Sequence, residues 1–315
     1  MGNFSSRADY HYQTARCNID LLKVIQIGIC LWSKDGELPP PNALESSNPP
    51  SQQHQFDPCP LAWQFNFKFS LQEDMYARES VELFEKAQYD FRMHETQGIE
   101  PEAFGALLIS SGLVLNEDTR WISSHAAYDI GFLMKIMLSR QLPEKKSKFK
   151  EFMDLCFPTL YDIRYLIKCP KYANAHLSAF YVLADLITSL EALNLNPSQQ
   201  QLLLELNQLK PGPRELAEKL NIKRVGMEQS AGSDAILAGR SFWELKKLLY
   251  GDMIENATSS GQVHGLSDAQ ETAKHLPILK GHRGEGSGDG HVLTPQATPF
   301  MSQAHLGTPG SAAAH

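Results

Sequence analysis

Between Trp63 and Ser70 the chain reads WQFNFKFS, aromatic and polar residues in strict alternation. Successive side chains of a strand point to opposite faces, so Trp63, Phe65, Phe67 and Phe69 share one face and Gln64, Asn66, Lys68 and Ser70 the other. Rings on one side of a strand have to be covered, and at that spacing they read as core rather than as a platform for stacked bases. The flanking sequence supplies the cover. Apolar periodicity predicts helices over Ser80 to Phe91 and Glu102 to Ser111, then a strand at RWISS, 120–124. That strand runs into a helix from Ala126 to Leu138, whose Ile130, Leu133, Met134 and Met137 fall at helical spacing. Upstream, Cys17 to Trp32 passes from polar residues into a β-rich apolar run, which predicts a short helix followed by a buried strand. Strands first, then helices alternating with strands, predict an α/β or mixed α+β sheet domain.

Pro158 is followed by TLYDIRYLIK, a short strand or helix start around Asp162. Residues 171 to 213 read as two inserted helices, broken at Asn196-Pro197 and rich in leucine near the end. Asp234 to Tyr250 is an amphipathic helix with Ala238, Phe242, Leu245 and Leu249 on one stripe. Seven of the 18 prolines lie between Leu38 and Pro60, which marks a surface insertion. After Gly251 the composition turns to Gly, Ser, Thr, His and Pro, and six of the 11 histidines lie there without metal-site spacing, so 253–315 reads as a disordered tail. Its three Thr-Pro steps, at Thr294, Thr298 and Thr308, are phosphorylation candidates.

Lys and Arg total 29 against 36 Asp and Glu, a formal net charge of -7, which excludes nucleic-acid binding through a broad basic surface but leaves room for a local or metal-assisted site. No apolar run of signal-peptide type opens the chain, and Leu177 to Leu190 is broken by Asp185 and too short for a bilayer. The reading is a soluble, intracellular protein with no membrane partner. The five cysteines form no CxxC pair, which predicts reduced, mostly buried thiols.

Two acids stand at element ends: Asp129 where a strand enters a helix, and Asp234 where another helix begins. Carboxylates so placed converge readily in one cleft, and magnesium or manganese takes such oxygen ligands, although a cap is the commoner role for an acid at a helix start.

The blocks WQFNFKF, SSHAAYDIGFL and AGSDAILAG, in this order, with FPTLYDIRYLIK and SFWELKKLL, closely resemble the Caf/Pop-type poly(A)-specific deadenylases, the DEDD exonuclease subunit of the Ccr-Not complex. The likeness spans most of Arg7 to Asp252 apart from insertions at 38–62 and 170–213. It implies an RNase-H-like mixed sheet flanked by helices over 1–252. It also implies 3′-to-5′ removal of poly(A) by two-metal hydrolysis, with Mg2+ or Mn2+ ions about 4 Å apart on four carboxylates. The partners implied are poly(A) RNA, the large Not scaffold subunit and the leucine-rich-repeat nuclease subunit, in the cytoplasm and the nucleus. Matched by motif, Asp129 is the third acid and Asp234 the fourth.

The family's D-x-E motif belongs to an opening strand upstream of GNFSSRADY, so the expectation for these 315 residues is a fold without its first strand. The family's general-base histidine falls on Gln229, whose amide accepts no proton at neutral pH. Asp129 and Asp234 alone imply a weak single-cation site and a slow nuclease or none. A catalytically inactive docking subunit of the same complex is the alternative. His125, four residues before Asp129, reads as part of the strand-to-helix turn, and Asp162 as a local cap.

Overall fold

The computed structural model describes residues 4–39, 62–87, 89–168, 196–209, 212–250, 254 and 259–267. Helix α1, Arg7–Leu21, starts at Ser6, whose side chain accepts from the Asp9 N–H, and buries Ala8, Tyr12, Ala15 and Ile19. Its C-terminal carbonyls are held by Lys135, whose Nζ donates to the C=O of Ile19, Asp20 and Leu22. Strand β1, Gln26–Cys30, pairs antiparallel with β2, Ala62–Asn66, in a register that sets Ile27 opposite Phe65. The alternation continues past β2: Phe67 and Phe69 are buried while Gln64, Asn66 and Lys68 are exposed. Phe65 and Phe67 both meet Phe104, at ring-centroid distances of 4.9 and 5.1 Å.

The span expected as one helix from Ser80 to Phe91 is two, α2 at Arg78–Lys86 and α3 at Phe91–Gln97. Asp90 makes the break, because its side chain accepts from the Arg92 N–H and so opens a new helix. Helix α4, Pro101–Ser110, then packs on α5, Ala126–Leu138, and α6 is Lys146–Cys156. Strand β3, Arg120–Ser123, runs parallel to β4, Thr159–Asp162, which passes directly into α7, Ile163–Lys168. The remaining helices among the described residues are α8, Pro197–Gln208, α9, Pro213–Lys219, and α10, Ala231–Tyr250, which begins three residues before Asp234.

Where one mixed sheet was expected, the described strands form two separate ladders of two strands, β1 with β2 and β3 with β4. Residues of both β1 and β3 line one cavity of about 760 Å3, so the two ladders face each other across it without hydrogen-bonded pairing. Helix α10 bridges the two halves, packing on β1, β2 and β3. One core gathers around α1, α4, α5 and α6, and a second joins β4 and α7 to α8, α9 and α10. Leu203 and Leu206 of α8 are buried in that second core, so this part of the 170–213 insertion is structural. The first inserted helix and residues 40–61 lie outside the described residues.

The expectation of a loose tail from 253 onward fails for residues 259–267. Gly261 N–H donates to the Leu160 carbonyl over 2.9 Å, and Gln262 pairs with Tyr161 in a parallel bridge. Val263 is 2 % exposed in the first core, and Leu266 packs against it partly buried. Backbone pairing with β4 and the packing of Val263 and Leu266 fix a segment whose composition alone looks unstructured. The three Thr-Pro steps lie outside the described residues. Cys17, expected among the buried thiols, is exposed, because it falls on the solvent face of α1 between Ala15 and Ile19. Among the described residues no helix is long and apolar enough to cross a membrane.

Candidate active site

Strand β3 ends in Ser123, and the turn Ser124-His125 leads into α5, whose first turn carries Asp129. Ser123 Oγ donates to Asp129 Oδ2 over 2.5 Å, so the strand end fixes the carboxylate of the helix it feeds. Asp129 is half-buried and faces the cavity between the ladders. The opposite wall is β1, and Ala231, Ala235, Ala238 and Gly239 of α10 form a further wall. Small residues there let the helix lie close to the strand: a Cβ on Gly28 would sit 1.9 Å from the Ala231 carbonyl oxygen.

The first turn of α10 is held by side-chain amides from β1 and β2. Gln26 Oε1 accepts from the Ala231 N–H, and Gln64 Oε1 accepts from the Gly232 N–H and from the Ser230 hydroxyl. Gln26 Nε2 donates to Asn66 Oδ1 over 2.7 Å, which links the two glutamines through one asparagine. Orphan N–H groups of a helix start are thereby satisfied from the polar face of the alternating strand.

Asp234 lies in this turn but turns away from the cavity. Its side chain is 10% exposed, and Arg224 Nη1 lies 2.5 Å from Oδ1. Burial raises the Asp234 carboxyl above the usual carboxylate range, against the pull of the Arg224 guanidinium in the other direction. The same Nη1 donates to Ser233 Oγ over 2.9 Å, and Ser233 Oγ donates to the Val225 carbonyl. Gln229 occupies the loop before α10 with φ of 60°, half-buried, and is not among the residues that line the cavity.

His125 packs against His264, with ring centroids 5.6 Å apart. Burial lowers the His125 imidazole pKa, with Asp129 raising it and Arg164 lowering it further, so the ring is neutral at pH 7. Asp162 is fully buried and accepts backbone N–H groups from Ala126, Arg164, Tyr165 and His264. That is the local capping role expected of it, extended to the start of α5 and hence to the turn that carries Asp129. Burial pushes its carboxyl up to about 6, against those four N–H donors.

Of the residues picked from sequence, Asp129 faces the cavity, while Asp234 is engaged by Arg224 and Gln229 stands apart in the loop. Among the described residues no group of three or more His, Cys, Asp and Glu side chains is placed to hold a metal ion. The donor set therefore does not fit a two-cation centre as it stands. Sequence reasoning missed Arg224, Ser123 and the Gln26, Gln64 and Asn66 network. The polar face of WQFNFKFS held a clue to the last of these, since a regular row of amides beside a helix start is a source of capping acceptors.

Residues 105–242 match the CAF1 family ribonuclease domain. The chain is 35% identical over 275 residues to the Poly(A) ribonuclease pop2 of Schizosaccharomyces pombe, covering 87% of this chain and 66% of that protein. A solved structure of S. pombe Pop2p in its Mg2+ and Mn2+ bound form superposes with a TM-score of 0.64 at 36% identity, over 84% of each chain. Identity to CCR4-NOT transcription complex subunit 7 of Caenorhabditis elegans is 33% over 252 residues, 80% of this chain and 65% of that one. The yeast NOT1 MIF4G domain co-crystallised with CAF1 gives a TM-score of 0.56 at 25% identity, over 84% of this chain and 83% of that one. The chain thus spans just under two thirds of the length of the first two relatives.

Proposed function

The chain belongs to the CAF1 family of ribonucleases, and from that premise we propose that it shortens the poly(A) tails of messenger RNA from the 3′ end as a subunit of a Ccr4-Not-type complex. The observation that carries the reading is Asp129: within a fold shared with a poly(A) ribonuclease, this acid of the matched motif faces a cavity and is oriented by Ser123. The partners follow from the relatives: a large Not scaffold of the kind co-crystallised with yeast CAF1, and with it the leucine-rich-repeat nuclease and poly(A) RNA. Divalent cations belong to the proposal through the Mg2+ and Mn2+ bound Pop2p. Cytoplasm and nucleus are the compartments where such a complex meets its substrate.

What this chain's residues contribute is limited and specific. Ser123 holds the Asp129 carboxylate, Asp162 fixes the start of α5, and His125 packs against His264 beside the turn. Gln229 takes up no proton from an attacking water, so trimming by these 315 residues is expected to be slow. A second reading, a docking subunit without catalysis, is favoured by the pairing of Asp234 with Arg224 and by Gln229.

The test is an A-tailed RNA incubated with the purified 315-residue protein in Mn2+ or Mg2+, beside capture on an immobilised MIF4G domain of a Not scaffold. Slow tail shortening that Asp129→Ala abolishes supports the nuclease reading. Intact tails with scaffold capture retained leave the docking reading in its place, and loss of both overturns the two together.

A further inference from the structure

The cation pair implied by the resemblance would call on the Asp234 carboxylate, and the structure gives that carboxylate to an arginine. Arg224 Nη1 stands 2.5 Å from Asp234 Oδ1, and the two side chains are 21% and 10% exposed, so the pair is largely out of water. The guanidinium is fixed from a second side, since Nη1 also donates to Ser233 Oγ, and that hydroxyl donates to the Val225 carbonyl over 2.6 Å. These contacts staple the loop of residues 221–230 to the first turn of α10.

Helix geometry sets the direction. At about 100° per residue, Ala231, Ala235, Ala238 and Gly239 form one face of α10, and Asp234 lies roughly a quarter turn from the centre of that face. Ala231 and Ala235 line the cavity on either side of Asp234 in sequence, and Asp234 does not. The two acids matched by motif therefore address different surroundings: Asp129 the cavity, Asp234 the loop that carries Arg224.

We propose that Arg224 is the resident counter-ion of Asp234, a cation built into the chain in place of a divalent metal at that carboxylate. A buried carboxylate needs a positive partner, and a guanidinium seated there resists exchange because it must give up both the carboxylate and its hydrogen bond to Ser233 Oγ before a divalent ion can take its place. A divalent ion beside the seated guanidinium would meet its charge instead of neutralising a free acid. The inference goes beyond the function proposed above and holds whether or not the protein trims RNA.

The test is a Mn2+ titration of the full 315-residue chain, with free Mn2+ read by electron paramagnetic resonance. In the wild-type chain Asp234→Asn is expected to leave Mn2+ affinity unchanged. Arg224→Gln is expected to gain at least tenfold in affinity, and Asp234→Asn added to it to remove the gain. Wild-type binding that Asp234→Asn weakens tenfold, or no gain on Arg224→Gln, overturns the proposal. Since Arg224→Gln strands a buried carboxylate and its fold is at risk, melting temperatures supply a second readout. The Arg224→Gln, Asp234→Asn double variant is expected to melt above Arg224→Gln alone, and Mn2+ to raise the melting temperature of Arg224→Gln by more than that of wild type. A double variant that loses the sum of the two single losses, or a wild type stabilised by Mn2+ through Asp234, overturns it equally.

Discussion

The backbone N–H of His264 donates to Asp162 Oδ2 over 2.9 Å, tying a segment near the end of the described chain to a carboxylate 102 residues earlier. The same oxygen accepts from the Ala126 N–H at the start of α5, and Asp162 Oδ1 accepts from Arg164 and Tyr165 at the start of α7. One buried side chain thus joins the starts of two helices and the 259–267 segment, and the turn that carries Asp129 rests on it.

Asp162→Asn keeps the shape of this side chain but replaces an acceptor oxygen by an NH2 group that faces N–H donors. The expected loss is about 3 kcal/mol of stability, since buried donors are left without acceptors. Urea unfolding measures it as a lower midpoint, and hydrogen exchange is expected to show residues 259–267 opening first.

His264 gives a pH dependence with a definite sign. Burial, reinforced by the positive charge of neighbours, depresses its imidazole from 6.5 to about 3, so the folded protein holds the ring neutral. The unfolded chain binds the proton more readily across that window. The contribution of His264 is therefore fully present above about 6.5 and lost as pH falls toward 3, with a slope of at most about 1.4 kcal/mol per pH unit. Asp162 acts in the opposite sense between 3.8 and about 6, because its raised carboxyl favours the protonated fold. Comparing wild type with His264→Tyr removes that shared contribution: the stability difference in favour of wild type is expected to shrink as pH falls from 7 to 5. A difference independent of pH in thermal melts counts against the assignment.

The alternating strand, the stripe of α10 and the strand-to-helix passage at Asp129 were legible because each is a local pattern whose period dictates which face is buried. Asp162 was legible as a cap for the same reason, but not its bond to His264, which depends on a segment brought back across the fold. Residues 259–267 hold a single buried aliphatic, Val263, and gain their order from backbone pairing that composition does not encode. The Arg224 to Asp234 pair was hidden although the two are ten residues apart in sequence. Its geometry depends on a loop that turns through positive φ at Asn221, Gly226 and Gln229, and no periodicity reports such a path.

Gly28 is expected to tolerate no side chain. An added Cβ would meet the Ala231 carbonyl oxygen at 1.9 Å and the Gly232 nitrogen at 2.7 Å, both backbone atoms of a helix start held in place by Gln26 and Gln64. Gly28→Ala is expected to cost about 3 kcal/mol or more, because β1 and α10 must separate to admit it. Gly112→Ala is the control: nothing lies within 4 Å, but φ is +79°, so backbone strain alone is expected to cost about 1 kcal/mol.

Gln26→Leu tests whether the amide network holds the turn that carries Asp234. Gln26 is 1% exposed, accepts from the Ala231 N–H and donates to Asn66 Oδ1. Leucine fills a similar volume but leaves that N–H without its acceptor and Asn66 with the longer 3.4 Å contact from Gln64. The expected loss is about 2 kcal/mol, most of it from leaving a buried donor unmatched. Gln64 is exposed, and water replaces its contacts to Ser230 and Gly232, so Gln64→Leu is expected to cost about 1 kcal/mol. Because the two glutamines share Asn66, their losses are expected to depart from additivity by about 0.5 kcal/mol or more in a double-variant cycle. Strict additivity would mean that each glutamine caps α10 on its own and that Asn66 does not couple them.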